Sequence, residues 1–354
     1  MKTEVRNGLQ GVVAAETRLS MVDGERGELI IAGHALEELA SWSFEDVAGL
    51  LWRTAGFEAR PRTAALPPHT YALLREIAEQ GTGVMDALRM AAGTLTASSD
   101  GAAAELLVGA FPTIVAAYWR LLHGREPIAP RDDLGIAANY LYMLTGTEPQ
   151  DELVRGMETY LNTVADHGLN ASTFTARVIT STGSDFVSAI TGALGALKGP
   201  LHGGAPGPAL DMVFEIGDAS RAEAVLRKKI EAGERLMGFG HRVYKVRDPR
   251  ADVLAAAARR MFARAGDRHL YELAGEVERT ALRLLEEYKP GRRLQTNVEY
   301  YTALLLHGLG LEVPLFTPTF AIGRVAGWTA HCFEQRAVGR IIRPESVYVG
   351  AKSS

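Results

Sequence analysis

The sequence predicts an all-α protein, a many-helix globule with one short β-hairpin near its start. Three observations carry this. Apolar residues recur at helical spacing through most of the chain after residue 43. Strand-like runs are nearly confined to residues 20–33. Clusters of Gly and Pro separate the helical stretches. Hydrophobic residues make up 47% and charged residues 23% of 354 positions, enough to bury a sizeable core at roughly two domains' length.

The hairpin comes first. Val22-Asp23-Gly24-Glu25-Arg26-Gly27 is turn chemistry, and Glu28-Leu29-Ile30-Ile31 is apolar and partly β-branched. Ser43-Phe44-Glu45-Asp46 then opens a helix, with the acid three residues after the Ser cap and Leu50, Leu51 and Trp52 continuing its apolar face. Helices are expected over about 70–80, 84–98, 102–123, 133–145, 151–165, 171–183, 186–197, 220–232, 251–265, 269–288, 296–308 and 319–336. The joints between them include Pro67-Pro68, Gly199-Pro200, Gly203 to Pro208, Pro290-Gly291 and Pro314 to Pro318. The longest apolar stretch, Gly101 to Leu122, contains Glu105 and Pro112 and reads as a buried core helix, so no membrane span is expected.

Charge and cysteine narrow the function. The net charge is -4, without the basic excess a nucleic-acid partner would demand. Cys332 is the single cysteine, which excludes an internal disulfide and any Cys-based zinc site. It lies in an apolar helix and reads as a small buried hydrophobe. The opening residues lack the apolar run of a signal peptide, and a cytoplasmic location is expected.

Three constellations carry chemistry. His202 and His241 are flanked by glycines, in Gly199-Pro200-Leu201-His202-Gly203-Gly204 and Gly238-Phe239-Gly240-His241-Arg242. Missing side chains there let a substrate approach both the ring and the neighbouring backbone N–H groups. His167 precedes Gly168. No His-Glu-x-x-His spacing occurs, and no metal is expected. The second constellation is cationic: Lys245, Arg247 and Arg250 follow His241, Arg324 sits in an otherwise apolar helix, and Arg343 lies near the C-terminus. Arginine clamps carboxylates with paired hydrogen bonds, although Arg247 is equally readable as part of a solvated charged face. The third is Asn297-Val298-Glu299, where one acid enters an apolar helix. On the residues alone Glu299 serves either the helix dipole or as a general base. The Gly-rich joints match neither a P-loop nor a dinucleotide fingerprint.

Taken in order, these motifs resemble the citrate synthase family. The likeness runs from Gly11-Val12-Val13-Ala14-Ala15-Glu16-Thr17 through Ala171-Ser172-Thr173-Phe174-Thr175-Ala176-Arg177, Gly199 to Ala205, Gly238 to Tyr244 and Asp248-Pro249-Arg250 to Asn297-Val298-Glu299-Tyr300. The resemblance implies a large helical domain (residues 1–203 and 311–354), a small one (204–310) and a cleft between them. It implies condensation of acetyl-CoA with oxaloacetate and a place in the tricarboxylic acid cycle. No tightly bound cofactor is implied: acetyl-CoA, or propionyl-CoA in a 2-methylcitrate synthase, is a co-substrate.

The same resemblance assigns catalysis to His202, His241 and Glu299, and oxaloacetate binding to His167, Asn170, Arg250, Arg324 and Arg343. It implies a homodimer in which Arg343 reaches the neighbour's site. Leu236, Met237, Gly238, Phe239 and Gly240 match the segment around the CoA adenine, with Arg242, Lys245 and Arg247 as phosphate contacts. Three residues depart from the family pattern: Glu299 replaces an aspartate, Gly168 a glutamate, and Pro206 an asparagine. A catalytically silent CoA- or dicarboxylate-binding paralogue is the alternative of another class. A CoA-ester lyase finds no phosphate-loop support.

Overall fold

The computed structural model describes residues 7–9, 11–202, 207–240, 244, 246–265 and 268–351. His241, Arg242 and Lys245 lie outside the described residues, as do Gly203 to Pro206.

The expected hairpin is present and gains a short third strand. β1 (Ser20–Asp23), β2 (Glu28–Ile31) and β3 (His34–Ala35) form an antiparallel sheet in that order. Ser20 pairs with Ile31 and Asp23 with Glu28. Asp23 closes the turn by accepting the Glu25 and Arg26 N–H groups at 3.0 and 2.9 Å. Gly27 has φ 70, and a Cβ there would stand 2.8 Å from a Val246 methyl, so the turn sits directly on the segment leading to Arg250.

Fifteen α-helices follow among the described residues. They are α1 (Leu36–Leu39), α2 (Phe44–Thr54), α3 (Pro68–Glu79), α4 (Val84–Ala92), α5 (Asp100–Leu122), α6 (Ile136–Thr145), α7 (Asp151–Val164), α8 (Ala171–Ser181), α9 (Phe186–Leu197), α10 (Gly207–Ile216), α11 (Ala222–Glu231), α12 (Pro249–Ala265), α13 (Arg268–Tyr288), α14 (Val298–Gly308) and α15 (Phe316–Val338). Ser43 caps α2 by accepting the Asp46 N–H, worth about 1 kcal/mol. α5 runs unbroken through Pro112. By length and composition α5 could cross a membrane, yet 78% of its apolar window is buried against protein.

Two expectations need correction. The helix expected over 84–98 stops at Ala92, because Gly93 ends it and Thr94 turns back to bond the Ala91 carbonyl. The Gly- and Pro-rich stretch before residue 209 is expected to be a joint only, yet α10 begins there. Pro208 occupies its second position, where a missing N–H costs no helical bond, and Leu210, Val213 and Ile216 drive the packing. α1 also has no counterpart in the periodic reading.

α15 is the central strut. It packs against α2, α5, α7, α8 and α9, and most of its side chains are buried. Gly323 and Gly327 let it approach the end of α7 at backbone distance: a Cβ on Gly323 would stand 2.8 Å from the Leu161 carbonyl oxygen. α12 packs against both α7 and α14. That contact brings the starts of α12 and α14 toward the residues that end α7.

Candidate active site

His202 lies just beyond α9, on a turn in which its N–H donates to the Gly199 carbonyl at 3.0 Å. Its half-buried ring faces Ser172 in the first turn of α8. Nε2 is 2.8 Å from Ser172 Oγ and accepts the Ser172 backbone N–H at 3.3 Å. A backbone N–H can only donate, so the ring hydrogen resides on Nδ1. Trp328 Nε1–H holds Ser172 Oγ in turn at 3.1 Å. Burial, reinforced by the Arg324 charge, pushes the His202 pKa down from 6.5 to about 4. The ring is therefore a neutral donor at pH 7.

Arg324 is nearly fully buried in α15. Its Nε–H donates to the Val164 carbonyl at the end of α7 at 2.6 Å, and its guanidinium lies 4.5 Å over the Phe320 ring. No carboxylate among the described residues comes within 4.0 Å of it. Burial pushes its pKa down to about 10, Asp166 opposes the shift, and Arg250 adds to it. A buried cation repelled by a second cation is costly unless an anion arrives.

Arg250, at the start of α12, is that second cation. Asp248 holds it with two hydrogen bonds of 3.0 and 2.8 Å. Burial opposes its charge, but Asp248 outweighs burial and keeps the pKa above the usual arginine range. Asp248 also accepts the Val298 N–H at 3.2 Å, so one carboxylate ties Arg250 to the start of α14. Glu299 is the second residue of α14. Burial raises its pKa, and Arg235 and Arg250 only partly offset that. Both roles open to it in the sequence persist here: its backbone N–H is capped by Asn297 Oδ1 at 3.0 Å, and its side chain is a desolvated acid.

The segment 236–240 fixes this corner. Gly238 O accepts the Asn297 N–H at 3.0 Å, the Gly240 N–H donates to Gln295 O at 2.7 Å, and Asn297 Nδ2 donates to Gly240 O at 2.9 Å. Gly238 has φ 87, and a Cβ on it would meet the Tyr300 ring at 2.8 Å. Leu236 and Phe239 are buried, whereas Met237 and Gly240 are half-buried. His167 Nε2 lies 3.1 Å from the Tyr244 hydroxyl, and the Arg250 guanidinium lies 5.8 Å from the Tyr244 ring.

His167, His202, Arg250, Arg324 and Glu299 are thus linked by contact or by mutual electrostatic influence, although they come from five separate stretches of chain. Three other expected residues are placed differently. Asn170 caps α8, accepting the Thr173 N–H at 3.1 Å, and its Oδ1 lies 2.8 Å from Ser172 Oγ. Arg247 is committed to Asp252 and to Glu278, the latter at 2.8 Å, so its charge is already paired. Arg343 is exposed on the extended segment after α15, where Ile342 N–H donates to Ser181 Oγ at 3.0 Å. Among the described residues no group of three or more His, Cys, Asp or Glu could hold a metal ion.

The family model described as "Citrate synthase, C-terminal domain" matches residues 8–345. The chain belongs to the citrate synthase family. A citrate synthase of Haloferax volcanii is 37% identical, the match covering 99% of this chain and 97% of that one. A 2-methylcitrate synthase of Mycobacterium tuberculosis is also 37% identical, over 99% of this chain and 91% of that one. The solved ternary complex of Thermoplasma acidophilum citrate synthase with carboxymethyl coenzyme A and oxaloacetate superposes with a TM-score of 0.86. Its identity is 28%, covering 99% of this chain and 97% of that one.

Several supporting residues escaped the sequence reading: Ser172, Asp166, Tyr244, Asp248 and Trp328. Ser172, Tyr244 and Asp248 stand inside the quoted motifs and Asp166 immediately before His167, so their neighbourhood was visible and their contacts were not. Trp328, four residues after Arg324 on α15, carried no signal beyond helical spacing.

Proposed function

We propose that the chain condenses acetyl-CoA with oxaloacetate and hydrolyses the resulting thioester to release citrate and CoA. The carrying observation is the buried Arg324, without a carboxylate partner among the described residues, beside Arg250, a neutral His202 and a desolvated Glu299. Glu299 takes a proton from the thioester's α-carbon while His202 Nδ1–H donates to the oxygen that becomes enolate. The α-carbon attacks the oxaloacetate carbonyl, which His241 polarises and protonates. Water then cleaves the citryl thioester. His167, Arg250, Arg324 and the partner subunit's Arg343 hold the dianion, turning an encounter into a positioned reaction. Residues 236–240, with Arg242 and Lys245, receive the CoA. A small domain over 204–310 closes on the remainder and excludes water. The enzyme works as a cytoplasmic homodimer in the tricarboxylic acid cycle.

The 37% identity to a 2-methylcitrate synthase supports a second reading, in which propionyl-CoA is the preferred donor. One methylene in an apolar pocket is worth only about 1–3 kcal/mol, so one site can serve both donors. The deciding experiment compares kcat/KM for the two acyl-CoAs in the parent, Glu299→Gln and Glu299→Asp. Gln should cut turnover by at least ~100-fold, while Asp retains part of it. Parental turnover in Glu299→Gln would remove Glu299 from the chemistry. Tight oxaloacetate binding without any turnover would instead mark a silent binding paralogue.

A further inference from the structure

The turn carrying His167 is fixed by a buried polar network that the condensation does not itself use. α15 lays one face on residues 164–166. Arg324, Gly327 and His331 recur on that face at helical spacing. Arg324 bonds the Val164 carbonyl, Gly327 passes over Ala165 and Asp166, and His331 Nε2 lies 3.2 Å from Asp166 Oδ1. Asp166 and His331 are both fully buried. On its other side Asp166 Oδ2 accepts the Ser20 hydroxyl at 2.5 Å. Ser20 Oγ also accepts the Gly168 N–H at 2.8 Å. His167 therefore sits between Asp166, which β1 and α15 hold from opposite sides, and Gly168, which β1 holds and which takes φ 62 to complete the turn.

The network extends one step further. His331 Nδ1 faces Arg177 Nη1 at 3.0 Å. A guanidinium only donates, so Nδ1 accepts and the hydrogen on Nε2 points at Asp166. Arg177, itself buried, is balanced by Glu334 at 2.9 Å and braced by Gln335 at 3.1 Å. Asp166 is thus the buried anion nearest to Arg324 in effect. Burial works against its charge, but His331, Ser20 and Arg324 outweigh burial and hold its carboxyl below the usual range.

We propose that Asp166 is a positioning residue for the dicarboxylate. Locked by His331 and Ser20, it holds the His167 turn at a fixed separation from Arg324. This inference rests on the dicarboxylate reading above. It predicts that loosening the network weakens oxaloacetate selectively and leaves the acyl-CoA side alone.

The test measures the oxaloacetate Kd by calorimetry and KM for both substrates in Asp166→Asn, Ser20→Ala, His331→Leu and His331→Gln. Asp166→Asn and His331→Leu should raise oxaloacetate Kd and KM by about 10–100-fold, with acyl-CoA KM within ~2-fold. Gln can donate to Asp166 and accept from Arg177 as the imidazole does, so His331→Gln should stay within ~3-fold of the parent. Ser20→Ala, a milder change near the surface, should give about 3–10-fold and decides the matter if Asp166→Asn does not fold. A folded Asp166→Asn with parental oxaloacetate affinity overturns the proposal. So does an equal rise in both KM values, which marks a network serving stability only. A parent protein that binds oxaloacetate without turnover would defeat the condensation reading, while the Kd comparison would still decide Asp166.

Discussion

Replacing Gly327 by Ala tests whether α15 must touch the end of α7 for the site to work. An added Cβ would stand 2.8 Å from Asp166 Oδ1 and 3.1 Å from Asp166 Cβ, and nearer still to the Ala165 carbonyl oxygen. Non-bonded carbon and oxygen need well over 3 Å, so helix and turn must part by about 1 Å. Neither side can yield locally: the obstacle is backbone, and Asp166 is pinned by Ser20 and His331. Arg324 lies one turn earlier on the same helix and moves with it. Overpacking of this kind costs about 1–3 kcal/mol in stability. Misplacing a binding group by about 1 Å can cost ~100-fold in rate. Gly327→Ala should therefore lower kcat/KM for oxaloacetate by about 10–100-fold and lower Tm by a few degrees. Gly195→Ala is the control. That exposed glycine of α9 has nothing within 4 Å of its would-be Cβ, and Ala there should stabilise by about 0.5–1 kcal/mol. Steady-state kinetics and thermal melts of both variants suffice. If Gly327→Ala keeps parental kcat/KM and melts with the control, the close packing has no functional consequence and the reasoning is wrong.

Three further predictions rest on electrostatics. The proposed mechanism needs His202 neutral and Glu299 ionised. Burial keeps His202 neutral down to about pH 4 and raises the Glu299 pKa above the usual carboxylate range, so the acid limb of kcat/KM is expected to belong to Glu299. The limb should shift in Glu299→Asp; a midpoint near pH 4 that ignores this change would assign it to His202. For stability the sign is separate: the unfolded His202 protonates near pH 6.5 and the folded one near 4, so its share of stability is lost as pH falls through that window. Arg247, paired with Asp252 and Glu278, should act through the fold. Arg247→Ala should lower Tm while acyl-CoA KM stays within ~3-fold, and a selective tenfold rise in that KM would restore a phosphate contact.

Most of the helices were legible because helix formation is local. A stripe recurring every three to four residues marks a buried face whatever lies opposite it. The hairpin was legible from its turn, and Gly238 and Gly240 before His241 from the positive φ that both adopt. α10 escaped because Gly207 and Pro208 look like punctuation when read without the apolar groove that receives Leu210 and Val213. Asn170 and Arg247 carried the right residue types for ligand binding, yet local partners claim both, a helix start for one and two carboxylates for the other.

What the sequence determined by itself was the all-α class and the order of most elements, since each follows from neighbours a few positions away; it also singled out the candidate site residues. The tertiary structure alone decided their chemical state. His202 is neutral because burial and the Arg324 charge, which comes from another helix, disfavour its protonation, and Arg324 has no carboxylate partner among the described residues where α15 carries it into the core beside Arg250. Asp166 faces His331 and Ser20 from 165 and 146 positions away. Desolvation and charge pairing depend on what surrounds a group in space, and only the packed fold supplies those surroundings.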